Sequence, residues 1–120
     1  MKEQFVPYEL TKELINKGFA EECLGYYHAS NNELIINNIP NYSLEKDNLG
    51  IGAPLWQQVI EWLREKHDLD IMIRQTKKDG TAYYKITKIE TEDKIKGYSN
   101  FCNTVNSARQ SAIEHALTLI

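Results

Sequence analysis

A chain of 120 residues with 42% hydrophobic and 26% charged residues has the size of one compact domain and the composition of an ordinary water-soluble one. Leu, Ile, Val and Phe together make thirty residues, above the level at which a charged chain stays unfolded. Fourteen basic against seventeen acidic residues leave a formal charge of -3, which excludes a general pull toward nucleic acid or anionic lipid and leaves only local patches to provide one. No apolar run approaches the roughly 20 residues needed to span a bilayer. The opening MKEQFVPYEL lacks the apolar core of a secretion signal, so the expected setting is the cytosol. Cys23 and Cys102 stand far apart with no Cys-x-x-Cys pairing, and read as reduced, buried small hydrophobes.

Pro7 suits the first turn of a helix and Gly18 a left-handed terminator, with Leu10 and Leu14 one turn apart between them and Val6 and Phe19 extending the stripe. From Cys23 to Asn38 the β-branched and aromatic density rises in CLGYYHA and ELIINN, a first hairpin. A two-residue turn at Asn31-Asn32 would set Tyr27 against Ile36, with Tyr26, His28 and Ile35 on the other side. Residues 37–53, rich in Asn and Gly, read as one long connection, and Gly50-Ile51-Gly52 has no strand before it that would make a phosphate loop.

PLWQQVIEWLREKH is the strongest helical signal, with Pro54 at its first position and Leu55, Trp56, Val59, Ile60, Trp62 and Leu63 forming a broad apolar stripe, the expected cover for both hairpins. Leu69 to Gln75 and Thr81 to Ile89 then alternate with period two around KKDG. A two-residue Asp79-Gly80 turn would oppose Ile73 to Ile86 and Gln75 to Tyr84, and set Arg74 directly across from Lys85. Residues 90–103 read as a polar loop. The last helix starts after Asn103 or Thr104, either of which can cap it, and turns Val105, Ala108, Ala112, Ile113, Ala116, Leu117 and Ile120 inward to the chain end. The order helix, hairpin, helix, hairpin, helix predicts a single α+β domain over 1–120, with one mainly antiparallel four-stranded sheet covered by helices on one face.

The combination of KEQFVPYELTKELINKGF, ECLGYY, APLWQQVIEWLREKHDL, a hairpin ending in YYKI and SARQSAIEHAL resembles a family of short uncharacterised proteins carried by prophages and mobile elements of gut anaerobic bacteria. The likeness spans nearly the whole chain, and the middle block is its most specific part. It implies a phage origin and a cytosolic bacterial setting, and it transfers no catalytic residue.

Between Arg74 and Lys88 five basic residues face one acid, Asp79, for a local charge of +4 against -7 for the rest of the chain. The outer face of the second hairpin is therefore a candidate polyanion surface, with Tyr83 to stack on a base and Arg74, Lys85 and the Lys77-Lys78 tip to meet phosphates. The like-charged pair Arg74 and Lys85 motivates it, since such opposition is unfavourable until an anion intervenes. The bland alternative is a solvated face with lysines guarding an edge. The leading expectation is a non-enzymatic accessory module that binds a protein or itself, because Tyr26, Ile35, Met72 and Tyr83 suit an interface core. Catalysis has little support. Cys102 with His115 and Cys23 with His28 are the thiol–imidazole pairs open to it, neither with a nucleophile signature. No zinc-ligand spacing or other cofactor motif is present.

Overall fold

The computed structural model describes residues 2–36, 50–90, 94–95 and 102–120 and forms two compact units, Met1–Val59 and Ile60–Ile120. Among the described residues the order is α1 (Tyr8–Asn16), β1 (Gly25–His28), β2 (Leu34–Ile36), β3 (Gly50–Ala53), α2 (Trp56–His67), β4 (Leu69–Gln75), β5 (Ala82–Lys88), β6 (Lys94–Ile95) and α3 (Val105–Leu117). The α+β class holds, but the strands do not form one four-stranded sheet. They make two antiparallel sheets ordered β2-β1-β3 and β4-β5-β6. The reason lies in β3 and β6, which occupy the free edges of β1 and β5 and turn each expected hairpin into a three-stranded sheet.

In the first unit, α1 ends as its sequence predicts. Gly18 has φ +101°, its N–H donates to Ile15 O, and Phe19 N–H donates to Leu14 O, a Schellman closure with Leu14 and Phe19 both buried. The hydroxyl of Thr11, fully buried, donates back to the main chain where Val6 O (3.2 Å) and Pro7 O (2.9 Å) lie in reach. Tyr27 of the central strand β1 is buried, and its hydroxyl donates to Val6 O while Tyr8 meets its ring edge-on at 5.5 Å. Helix α1 packs beside β3.

Residues 37–53 are therefore not one connection. Gly50–Ala53 is itself a strand paired with β1, and residues 37–49 lie outside the described residues. Pro54 is not the first helical residue either. Its ring is buried, its carbonyl accepts from Val6 N–H (2.9 Å), and the helix begins two residues later at Trp56, whose indole N–H donates to Glu3 O (2.8 Å).

In the second unit, α3 packs on β5 and β4. The cover expected of the tryptophan helix is thus supplied there by α3, whose Ala108, Ala112 and Ala116 are fully buried and lack the bulk to hold a helix axis away from a sheet. Thr104 caps it, its hydroxyl oxygen accepting from Ser107 N–H (3.0 Å). The helix stops at Leu117 instead of running to Ile120: the Thr118 and Leu119 N–H groups donate three residues back, to His115 O (3.0 Å) and Ala116 O (2.9 Å), a tightened last turn in which the Thr118 hydroxyl also donates to His115 O (2.6 Å). Among the described residues Trp62, Leu63, Leu69, Ile71, Ala82, Tyr84, Ile86, Ile113 and Leu117 complete the buried set of this unit. The polar stretch 90–103 contains β6 and Cys102, which bridges to Ala82. Residues 91–93 and 96–101 lie outside the described residues.

Candidate functional site

The β4–β5 ribbon carries every residue of the candidate surface, and its turn decides which of them are neighbours. Thr76 N–H donates to Thr81 O (2.8 Å), Gly80 N–H donates to Lys77 O (3.2 Å), and Gly80 has φ +99°. The loop is therefore the four residues 77–80. Asp79 fixes it by accepting from Thr81 N–H (2.9 Å) and from the Thr81 hydroxyl (2.7 Å), and these bonds hold its carboxyl below the usual range.

The longer loop moves the register by two residues from the expected one. Ile71 opposes Ile86, Ile73 opposes Tyr84, Gln75 opposes Ala82, Met72 opposes Lys85, and Arg74 opposes Tyr83. A shift of two keeps every side chain on its expected face, so Ile71 and Ile86 are buried and Arg74 is exposed. It does remove the direct opposition of Arg74 and Lys85, which now sit on a diagonal. The repulsion that motivated an anion between them is correspondingly weaker.

On the outer face the structure brings together Met72, Arg74, Tyr83, Lys85, Asp70 and Thr87. Met72 keeps 38% of its surface open, Arg74 is exposed, and Asp70, Tyr83 and Lys85 are half-buried. Lys77 and Lys78 are exposed in the loop at one end of the ribbon. Lys88 lies on the opposite face, across from Leu69. Asp70 joins this face by its place two residues before Met72, a position that its residue type alone does not reveal. Among the described residues neither Asp70, Arg74 nor Lys85 forms an ion pair.

The candidate thiol–imidazole pairs have other partners. Cys23 is 6% exposed, its thiol donates toward Glu21 O (3.4 Å), and burial aided by the Glu21 charge pushes it up to about 12. A thiol reagent at neutral pH is accordingly expected to leave Cys23 unmodified in the native protein and to label it on unfolding; prompt native labelling would contradict its burial. Cys102 is half-buried instead of buried. Nδ1 of His28 lies 2.8 Å from the Ser30 hydroxyl and accepts from Ser30 N–H (3.2 Å), a contact that closes the first hairpin loop. His115 Nδ1 lies 3.1 Å from the Tyr84 hydroxyl with the rings edge-on, and burial raises the Tyr84 phenol, Cys102 and Glu114 adding to the effect. Spacing gave no hint of this pair, because the two side chains come from a strand and a helix 31 residues apart. His67 packs edge-on against Trp62 at 4.7 Å at the end of its helix.

No group of three His, Cys, Asp or Glu side chains placed to hold a metal occurs among the described residues, and no described helix is long and apolar enough to cross a membrane. Fold and site together define a small α+β protein of two three-stranded antiparallel sheets, the second presenting a mixed aromatic, thioether and cationic face. No family model, curated protein or solved structure matches the chain.

Proposed function

We propose that this protein is a non-enzymatic accessory module of a phage or mobile element, acting in the bacterial cytosol by holding a protein chain against the exposed side of β4 and β5. The observation that carries the reading is the side-by-side placement of Met72, Arg74 and Tyr83 with Met72 well open to solvent. Met, Arg and Tyr are the residue types enriched at interface cores, and a thioether can adapt its shape to a partner surface.

A second reading keeps the same face for a polyanion. Tyr83 lies directly across from Arg74 and two residues from Lys85, with Lys77 and Lys78 at the ribbon's end, an arrangement suited to stacking a base between phosphate contacts. It is the lesser reading, because the two cations are only diagonal neighbours, Asp70 shares the face, and the chain is net negative.

A photo-activatable phenylalanine analogue placed at Met72 separates the two. Irradiation in cells is expected to give discrete protein adducts that disappear with Arg74→Glu, while the same probe at Gln110, an exposed position of α3, gives none. No adduct from Met72, or equal adducts from Gln110, overturns the protein-binding reading. Low-salt retardation of short single-stranded DNA or RNA, abolished by Arg74→Ala with Lys85→Ala, would move the surface to the second.

A further inference from the structure

We infer that the outer edge of β4 pairs with the same strand of a second copy of this chain, antiparallel about a twofold axis through Met72. The inference rests on the protein-binding reading above, extends it from the exposed face of the ribbon to the adjoining edge of β4, and takes a second copy as the partner there.

In an antiparallel ladder alternate residues point their main-chain N–H and C=O groups at one neighbour or the other. Thr76 N–H donates to Thr81 O and Ile89 N–H to Asp68 O, which fixes the alternation: Asp70, Met72 and Arg74 direct their main-chain groups to β5. Leu69, Ile71, Ile73 and Gln75 therefore present theirs at the outer edge of β4, where no described strand pairs with them. The corresponding edge of β5 is filled by β6 and by the reciprocal bonds between Ala82 and Cys102 (3.0 and 2.7 Å). Edge strands that must stay single are short, bulged, covered, or carry Pro or charged residues, Lys above all. β4 is seven residues long, LDIMIRQ, unbulged against β5 and without Pro or Lys, and its only charges, Asp70 and Arg74, are opposite in sign and so do not repel an antiparallel copy of the same strand.

The strand is also complementary to itself. Read outward from Met72, Ile71 mirrors Ile73, and Asp70 mirrors Arg74 with the opposite charge. An axis through Met72 overlaps the whole strand. It places Met72 on Met72 of the second copy, Ile71 on Ile73, and Asp70 directly across from Arg74 twice, by symmetry. Moving the axis one residue sets Asp70 or Arg74 against Met72. Moving it two sets Asp70 or Arg74 against its own copy, a like-charge opposition. Only the Met72-centred register satisfies both charges, and it accounts for an exposed thioether flanked by two charges without ion-pair partners among the described residues. The product is a continuous six-stranded sheet, strand addition with a second copy as the added strand.

Sedimentation velocity of the full chain over a concentration series tests this. Wild type is expected to show reversible monomer–dimer association. Asp70→Arg alone and Arg74→Asp alone should each weaken it by about tenfold or more, since each turns two attractions into two repulsions. The two changes together, which restore opposite charges across the axis, should return the affinity to within about threefold of wild type. Met72→Lys, which brings two ammonium groups together on the axis, is the second disrupting variant, and circular dichroism verifies that each variant is folded. A strict monomer at every concentration, single variants that associate like wild type, or a double variant no tighter than the singles overturns the pairing. A strict monomer that still gives Met72 adducts with a different protein removes self-pairing and leaves the protein-binding reading intact.

Discussion

Replacing Gly50 by alanine is expected to part β3 from β1 and to cost the first unit about 2 to 4 kcal/mol. A Cβ at this position would lie 1.8 Å from Tyr27 O, 2.9 Å from Tyr27 C and 3.1 Å from Ala29 N. All three are main-chain atoms of the central strand and its loop, so no side chain can swing away to make room. The φ of +150° adds strain of its own for any residue with a Cβ. Relief requires moving either Gly50 or the backbone at Tyr27, whose hydroxyl and ring tie β1 to Val6 and Tyr8. Gly18→Ala is the matched comparison. Its φ is +101°, but nothing lies within 4 Å of the added carbon, so only the backbone penalty of about 1 kcal/mol is expected. Urea denaturation of both variants should rank Gly50→Ala well below Gly18→Ala, and the reverse order would show that β3 does not approach Tyr27 this closely.

The elements whose signals are local were legible in the chain. Gly18 closed its helix, Thr104 capped another, and period two assigned inward and outward residues correctly along β4 and β5. Register was not legible, and the two hairpins failed for one physical reason. Asn31-Asn32 and Asp79-Gly80 each suggest a two-residue turn, which needs positive φ at both positions. Only Asn32 (+57°) and Gly80 (+99°) adopt it. Asn31 and Asp79 instead accept from the N–H two residues on, at Glu33 (3.0 Å) and Thr81 (2.9 Å), and this side-chain closure builds four-residue loops. Each register therefore shifts by two, which preserves the faces and changes every opposite neighbour.

The third strands were hidden for a different reason. GIGA has no alternation to read, and two residues at Lys94–Ile95 are too few to show a period. Their pairing is decided by the long-range ladder alone. For the candidate surface this means that the membership of Arg74, Tyr83 and Lys85 was readable from alternation, whereas the diagonal placement of the two cations and the pairing of Met72 with Lys85 were not. Asp70 shows the same limit. Its charge is plain in the sequence, but its use as the mirror of Arg74 follows only from knowing which edge of β4 has no described neighbour.

Ile86→Ala should be strongly damaging to the second unit, with a loss of about 3 to 5 kcal/mol. Ile86 is fully buried on the middle strand, opposite Ile71, in a strand on which α3 packs. The fully buried alanines of α3 offer no long side chains that could swing into the space that three lost carbons would leave, so the site should collapse poorly. The cost should then fall toward the upper part of the range for such truncations. Met72→Ala removes as much apolar bulk one face away, from a side chain already 38% exposed, and should cost below about 1 kcal/mol in the monomer. Denaturation at a concentration low enough to suppress association compares the two directly. A large gap, with denaturant slopes unchanged from wild type, is the expected result. Equal losses would mean that the ribbon's two faces are not distinguished as buried and open, and the availability of Met72, Arg74 and Asp70 to any partner would fall with that distinction.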